Sequence, residues 1–359
     1  LNWNKIEVDT SSLTGAGIKT YEPYRLKLID NAAGIATTGY AGTKDNSTDK
    51  FEYVIDTDTN TATANRYVTL EGYQFKDNTA TDGTHTEAWA GRTKVGHKVE
   101  NNKLSVTGGT ISAAAYGGLV ENHKLDAHGN PLPTGDAEKN TVAVAGGNVA
   151  NAYGAEVRTK NGNATENTAE ITNGTVGSVY GASLAAAGAT GTANKSKVNI
   201  TGGTVNGSVY GGHIANAAAT GQITNSEVNI AGGSVGGTIY GGYNSGSGDA
   251  KSGTVNITTG SMGNVYGGYT VGAGATTGNT VNLGTATTAF AAGTSVGTIF
   301  GGNKSTVTDN TLNVNSRNAR AADVKHFENV NFDVAHNVSH GDTMLTLTSG
   351  AGTTIDWSK

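Results

Sequence analysis

Cysteine is absent from this 359-residue chain, and only 3 prolines interrupt it. Without thiols there is no disulfide framework and no thiolate chemistry, so stability must come from backbone pairing and packed side chains. Charged residues make up 15% of the chain and the net charge is −5. With no Lys/Arg stripe either, a general attraction to nucleic acid or anionic lipid is excluded. No run approaches the ~20 apolar residues needed to cross a bilayer, so direct membrane insertion is not expected. The chain opens at Leu1 with no basic start leading into an apolar core, and is expected to be a fragment of a longer protein.

What is abundant is glycine, with 54 residues, among many Thr, Asn, Ala and Val. No G-X-Y period accompanies it, which excludes collagen. Regularly placed Val, Ile and Tyr argue against disorder, since a disordered chain has no periodic apolar groups to bury.

Those positions form a repeat. Short alternating segments recur at Leu104-Ser105-Val106, Val142-Ala143-Val144, Ala169-Glu170-Ile171, Val198-Asn199-Ile200, Val228-Asn229-Ile230, Val255-Asn256-Ile257, Val281-Asn282-Leu283 and Leu312-Asn313-Val314. Their first residues lie 38, 27, 29, 30, 27, 26 and 31 positions apart. A glycine pair often follows, and then an aromatic residue: Tyr116, Tyr153, Tyr180, Tyr210, Tyr240, Tyr266 or Phe300, with Trp89 as a degenerate earlier copy. Each unit is too short to fold alone. The Val-x-Ile stretch alternates with period 2, sending two apolar side chains one way and the middle Asn the other. Glycines supply corners, a second short strand such as Thr238-Ile239-Tyr240 follows, and the remainder reads as a loop or weak third strand.

This pattern predicts an all-β, right-handed parallel β-helix solenoid with about 26–38 residues per coil, the handedness coming from the resemblance given below. Helical solenoids are excluded because Gly interrupts every candidate helix and β-branched residues dominate the apolar positions. A propeller blade needs ~40 or more residues, longer than most of these units. Three regions are expected: residues 1–66 as an N-terminal cap or degenerate coils, 67–315 as the repeat array, and 316–359 as closing strands of the same solenoid.

The aromatic series has two readings. It is either a stacking platform for sugars or nucleobases, or a structural ladder on the inward or corner side of each coil; the favoured reading is the structural one, with rings filling the core. Asn199, Asn229, Asn256, Asn282 and Asn313 likewise read as an amide ladder or a solvated face, or as a polar recognition face. Catalysis is not expected. Carbohydrate chemistry needs convergent carboxylates, and the stretch from Ile171 to Asn310 contains only Glu227, Asp249 and Asp309, far apart in sequence. No metal or cofactor is expected: His336 and His340 have ligand spacing only on a helix, and no Asp recurs at a fixed place in the Gly-rich units. Leu132-Pro133-Thr134-Gly135 lacks a residue of a cell-wall sorting motif and is read as part of a loop insertion, Asp126–Asp136, within the loop Glu121–Asp136 that is the favoured place to search for binding.

The units typified by Val198–Gly212 and Val228–Gly242 resemble the passenger regions of large Gram-negative autotransporter adhesins. So does the tail Phe327-Glu328-Asn329-Val330-Asn331-Phe332 with Gly341-Asp342-Thr343-Met344-Leu345. The resemblance covers roughly residues 88–350 and implies a right-handed β-helix exported through an outer-membrane β-barrel and displayed at the bacterial cell surface. No barrel is present in this sequence, so it is expected elsewhere in a longer chain. The expected function is a non-enzymatic adhesin or adhesin stalk whose partner is a host or bacterial surface glycan or protein. The alternatives are a polysaccharide-degrading or glycan-binding β-helix, either lyase or tailspike-like, and a self-assembling filament or surface-layer subunit.

Overall fold

Residues 15–32, 50–59, 66–121, 135–285, 287, 290–304, 308–334 and 338–349 are described by the computed structural model of the chain. From Thr79 onward parallel strands stack into a β-solenoid of about nine turns, as the repeat requires. At roughly 4.8 Å between neighbouring strands the stack is about 40 Å long.

One coil shows how the sequence makes the turn. The strand Lys197–Ile200 buries Val198 and Ile200 and turns Asn199 outward. Gly203, with φ +76°, makes the first corner, in a left-handed conformation that suits glycine. Thr204–Val205 and Val209–Ile214 follow, then a loop, then the short third strand Gln222–Thr224. Asn225, with φ 54°, turns the chain into the next coil at Glu227. Strands of the first two kinds join one 21-stranded sheet, and those of the third kind form a 6-stranded one.

Register is set by like on like. Val198, Val228, Val255, Val281 and Leu312 are partners in successive coils, as are Ile200, Ile230, Ile257, Leu283 and Val314. All of these are buried, and each contributes about 1.5–3 kcal/mol of hydrophobic stabilisation. A slip of one residue would send the whole row to solvent, so burial fixes the register.

The two ends depart from the array. Strands β1 (Tyr24–Ala32), β2 (Phe51–Thr59) and β3 (Arg66–Gln74) form an antiparallel sheet in the order β1-β3-β2. This separate sheet extends beyond residue 66, the boundary expected from loss of the repeat, and the first coil begins at Thr79. At the other end Asp323–Lys325 and Asn329–Phe332 each pair in parallel with a strand of the preceding coil, and Ala319–Ala321 pairs in parallel with Leu345–Leu347 in a separate two-stranded sheet. Val330 and Phe332 occupy core register opposite buried Leu312 and Val314 but are 46% and 48% exposed, because no described strand covers them. Most of the Glu121–Asp136 loop, residues 122–134, lies outside the described residues, as does His336.

Candidate functional site: an outward aromatic face

The aromatic residues stack, but on the outside. Val209 and Ile239 point into the core, so alternation directs Tyr210 and Tyr240 to the opposite face. The expectation that these rings fill the core is corrected by this parity. Small Val and Ile side chains occupy the interior, while Tyr153, Tyr180, Tyr210, Tyr240, Tyr266 and Phe300 stay partly exposed. Only Trp89 and Tyr116, nearest the N-terminal sheet, are buried.

Successive ring centroids lie 5.2, 4.4, 4.8, 5.2, 5.5 and 4.4 Å apart from Tyr116 to Phe300, with interplanar angles of 19° or less. Trp89 continues the register beside Tyr116 and carries the Arg92 guanidinium 4.3 Å from its ring. Each interior ring therefore has neighbours on both faces. Solvent meets ring edges and hydroxyl groups rather than open π-surfaces.

A second column runs beside the first. His213, Tyr243 and Tyr269 stand three residues after Tyr210, Tyr240 and Tyr266, in parallel register with one another. Ring pairs across the columns are 4.8, 4.9 and 5.2 Å apart, tilted at 49°, 70° and 88°. Outward side chains three residues apart meet only if the strand bends so that its outer surface is concave. The glycine pair between them makes that bend. A Cβ on Gly211 or Gly241 would run into the carbonyl oxygen of the next coil, Gly241 or Gly267, so no larger residue fits. His213 shares a 3.2 Å hydrogen bond through Nδ1 with the Ser183 hydroxyl. Burial pushes its pKa down to about 4, leaving it neutral at physiological pH. Burial also raises the Tyr240 hydroxyl to about 12.

Two asparagine ladders brace the coils. On the outer face the Asn229, Asn256, Asn282 and Asn313 amides donate to Asn199, Asn229, Asn256 and Asn282 at 2.8, 2.6, 2.6 and 2.8 Å, and Asn331 extends the row at 2.9 Å. The amide-ladder reading of these five residues agrees with that geometry. The second ladder, inside the coil, was not anticipated from the sequence. Asn102, Asn140 and Asn167 are buried, with Asn102 donating to Asn140 at 2.8 Å and Asn140 to Asn167 at 3.0 Å. Ser196, Ser226 and Gly253 then take the position before Asn279 and Asn310 resume it. The signal was present: Asn or Ser stands two places before every such Val-x-Ile segment except Val255-Asn256-Ile257, directly after a corner residue of positive φ such as Lys139 or Glu166.

Toward the N-terminal sheet the face becomes charged. Arg158 bonds Glu156 at 2.7 Å, Glu121 at 3.3 Å and the Tyr116 hydroxyl at 2.9 Å, and Arg92 holds Glu121 at 2.6 Å. Burial raises the Glu156 carboxyl despite Arg158 beside it. Sequence spacing did not point to these convergent acids, because Glu121 and Glu156 lie in the early, less regular coils ahead of Ile171. Among the described residues no three His, Cys, Asp or Glu side chains are grouped to hold a metal ion. His340 is exposed.

Compared with protein-family models, curated proteins and solved structures, the chain matches none. Its functional reading rests on its own geometry.

Proposed function

We propose that the chain is a non-enzymatic adhesive shaft, displayed at a bacterial cell surface in the manner of an autotransporter passenger. The observation that carries this is the outward aromatic column, continued in register from coil to coil from Tyr116 to Phe300 and doubled by His213, Tyr243 and Tyr269. A solenoid core needs only its inward residues. Partly exposed tyrosines along a concave strip add a surface of apolar edges and hydroxyl groups, suited to glycan or protein contact. Ser178, Ser208, Thr238 and Asn264 line one side of the strip with neutral hydrogen-bonding groups.

A second reading, a carbohydrate-active enzyme, is favoured by Glu121 and Glu156 converging on Arg158 and Tyr116. The pairing weakens it: both carboxylates are held by arginine, whereas glycoside hydrolysis needs one acid free to donate and one free to attack or activate water.

A glycan-array and cell-binding screen of the purified chain, with substrate turnover read from the same wells, separates the two. Binding without turnover supports the adhesive shaft, turnover supports the enzyme, and silence on both contradicts each.

A further inference from the structure

Where the N-terminal segment crosses the first coil it borders a half-open crevice of about 340 Å³, apart from the tyrosine face. Residues Ile18 to Tyr21 form one wall; Gln74, Asn78, Thr81 and Trp89 belong to the other. The size lies at the small end of the roughly 300–1,000 Å³ range of small-molecule sites.

The crevice is held open by specific contacts rather than loose packing. The Trp89 amide donates to the Thr20 carbonyl at 2.6 Å, pinning the segment to the coil. The Gly15 amide donates to the Tyr53 hydroxyl at 3.0 Å, and Tyr21 stacks on His85 with centroids 3.6 Å apart. Tyr21 is nevertheless 38% exposed, so an aromatic ring stands at the rim.

Apart from Lys19, the polar side chains are uncharged amides and hydroxyls. Gln74 donates its amide to the Lys76 carbonyl at 3.1 Å, and Asn78 donates to the Ala90 carbonyl at 2.7 Å. That leaves both side-chain oxygens without a hydrogen-bond partner among the described residues. The Thr81 hydroxyl also has none there. The one cationic group, Lys19, is engaged by Glu22 at 3.2 Å. The free amide oxygens accept from a hydroxyl group, and the remaining amide N–H groups and the Thr81 hydroxyl can donate to one. Several hydroxyl donors carried on a compact body with an apolar face, able to lie against aromatic residues, describe a sugar ring.

We propose that this crevice binds a single neutral hexose unit, the terminal sugar of a surface glycan. The inference rests on the glycan-binding reading of the shaft but assigns the sugar to a different place from the tyrosine face. Binding is expected in about the millimolar range, as suits one small ligand in a half-open site.

The test is saturation-transfer NMR on the whole chain with free glucose, galactose, mannose and N-acetylglucosamine, together with tryptophan fluorescence. The proteins are the wild type, Gln74→Leu, Thr81→Val and the face variant Tyr243→Ala, with circular dichroism as the control for folding. Thr81→Val keeps the side-chain shape and breaks no hydrogen bond among the described residues, so it serves even if Gln74→Leu unfolds. The expected result is saturation transfer to one of these sugars, at least about tenfold weaker in Thr81→Val. Transfer unaffected by Thr81→Val, or lost only in Tyr243→Ala, overturns the crevice while leaving the glycan-binding reading intact. No transfer from any of the four sugars also overturns it. A positive glycan array alongside that silence would keep the shaft as an adhesin, whereas a silent array would remove both.

Discussion

Glu52 is the residue on which the attachment of the N-terminal sheet turns. Its carboxylate meets the Thr93 hydroxyl and the Lys94 amide, each at 2.5 Å, at the end of the first coil. Burial lifts its pKa to about 7, against the opposing pull of those hydrogen bonds and of Lys94 and Arg92. The surrounding groups are Glu71, Lys94 and Tyr73, joined by hydrogen bonds at 2.9 and 2.5 Å, and His97 at 4.0 Å. Because the folded value lies above the unfolded one, the stabilisation is full below the unfolded value and is lost as pH rises through about 7. The thermal midpoint is therefore expected to fall across that interval, and Glu52→Gln to flatten the fall. A midpoint that rises with pH there would contradict the assignment. The asparagines give a second comparison. Asn140→Ala strands the buried Asn102 amide and the Val99 carbonyl, at a cost of about 1–3 kcal/mol. Asn229→Ala breaks a ladder bonded at its outer edge and open to water, so its loss, read from denaturant unfolding, should be the smaller of the two.

The first strand of each coil was legible in the sequence because Val-x-Ile alternation leaves one arrangement of faces. Its core and its outward Asn row followed together. The second strand was harder to read. Ring size suggested that Tyr210 fills the interior, yet its neighbour Val209 already does so, and parity decides against size. The column of His213, Tyr243 and Tyr269 was invisible for a related reason. A glycine bend resets the alternation, and no period of 2 links Tyr240 to Tyr243. That bend yields a prediction for the element. Gly241→Ala puts a methyl group against the Gly267 carbonyl and should cost about 1–3 kcal/mol. Tyr240→Phe keeps both stacking neighbours and should leave the thermal midpoint nearly unchanged. A Gly241→Ala variant as stable as wild type would mean that the bend is looser than described.

Across the whole molecule, rigidity without disulfides comes from repetition: buried rows, two amide ladders and an external ring stack, all in one register. The same repetition leaves an end. Val330 and Phe332 stand in core register with no described strand over them, and an open strand edge of that kind pairs readily with another chain. Concentration-dependent association is expected in sedimentation experiments, and Val330→Asp with Phe332→Asp should abolish it. Association unchanged in that double variant would place the contact elsewhere.

The measurement that bears most directly on the adhesive shaft is cell and glycan binding by a variant with Tyr210, Tyr240 and Tyr243 all replaced by Ser, against wild type at equal folded concentration. The shaft account predicts that wild type binds without turning over substrate, and that the variant stays folded but loses cell binding. Binding that survives the loss of all three rings, or turnover by the wild type, would contradict it.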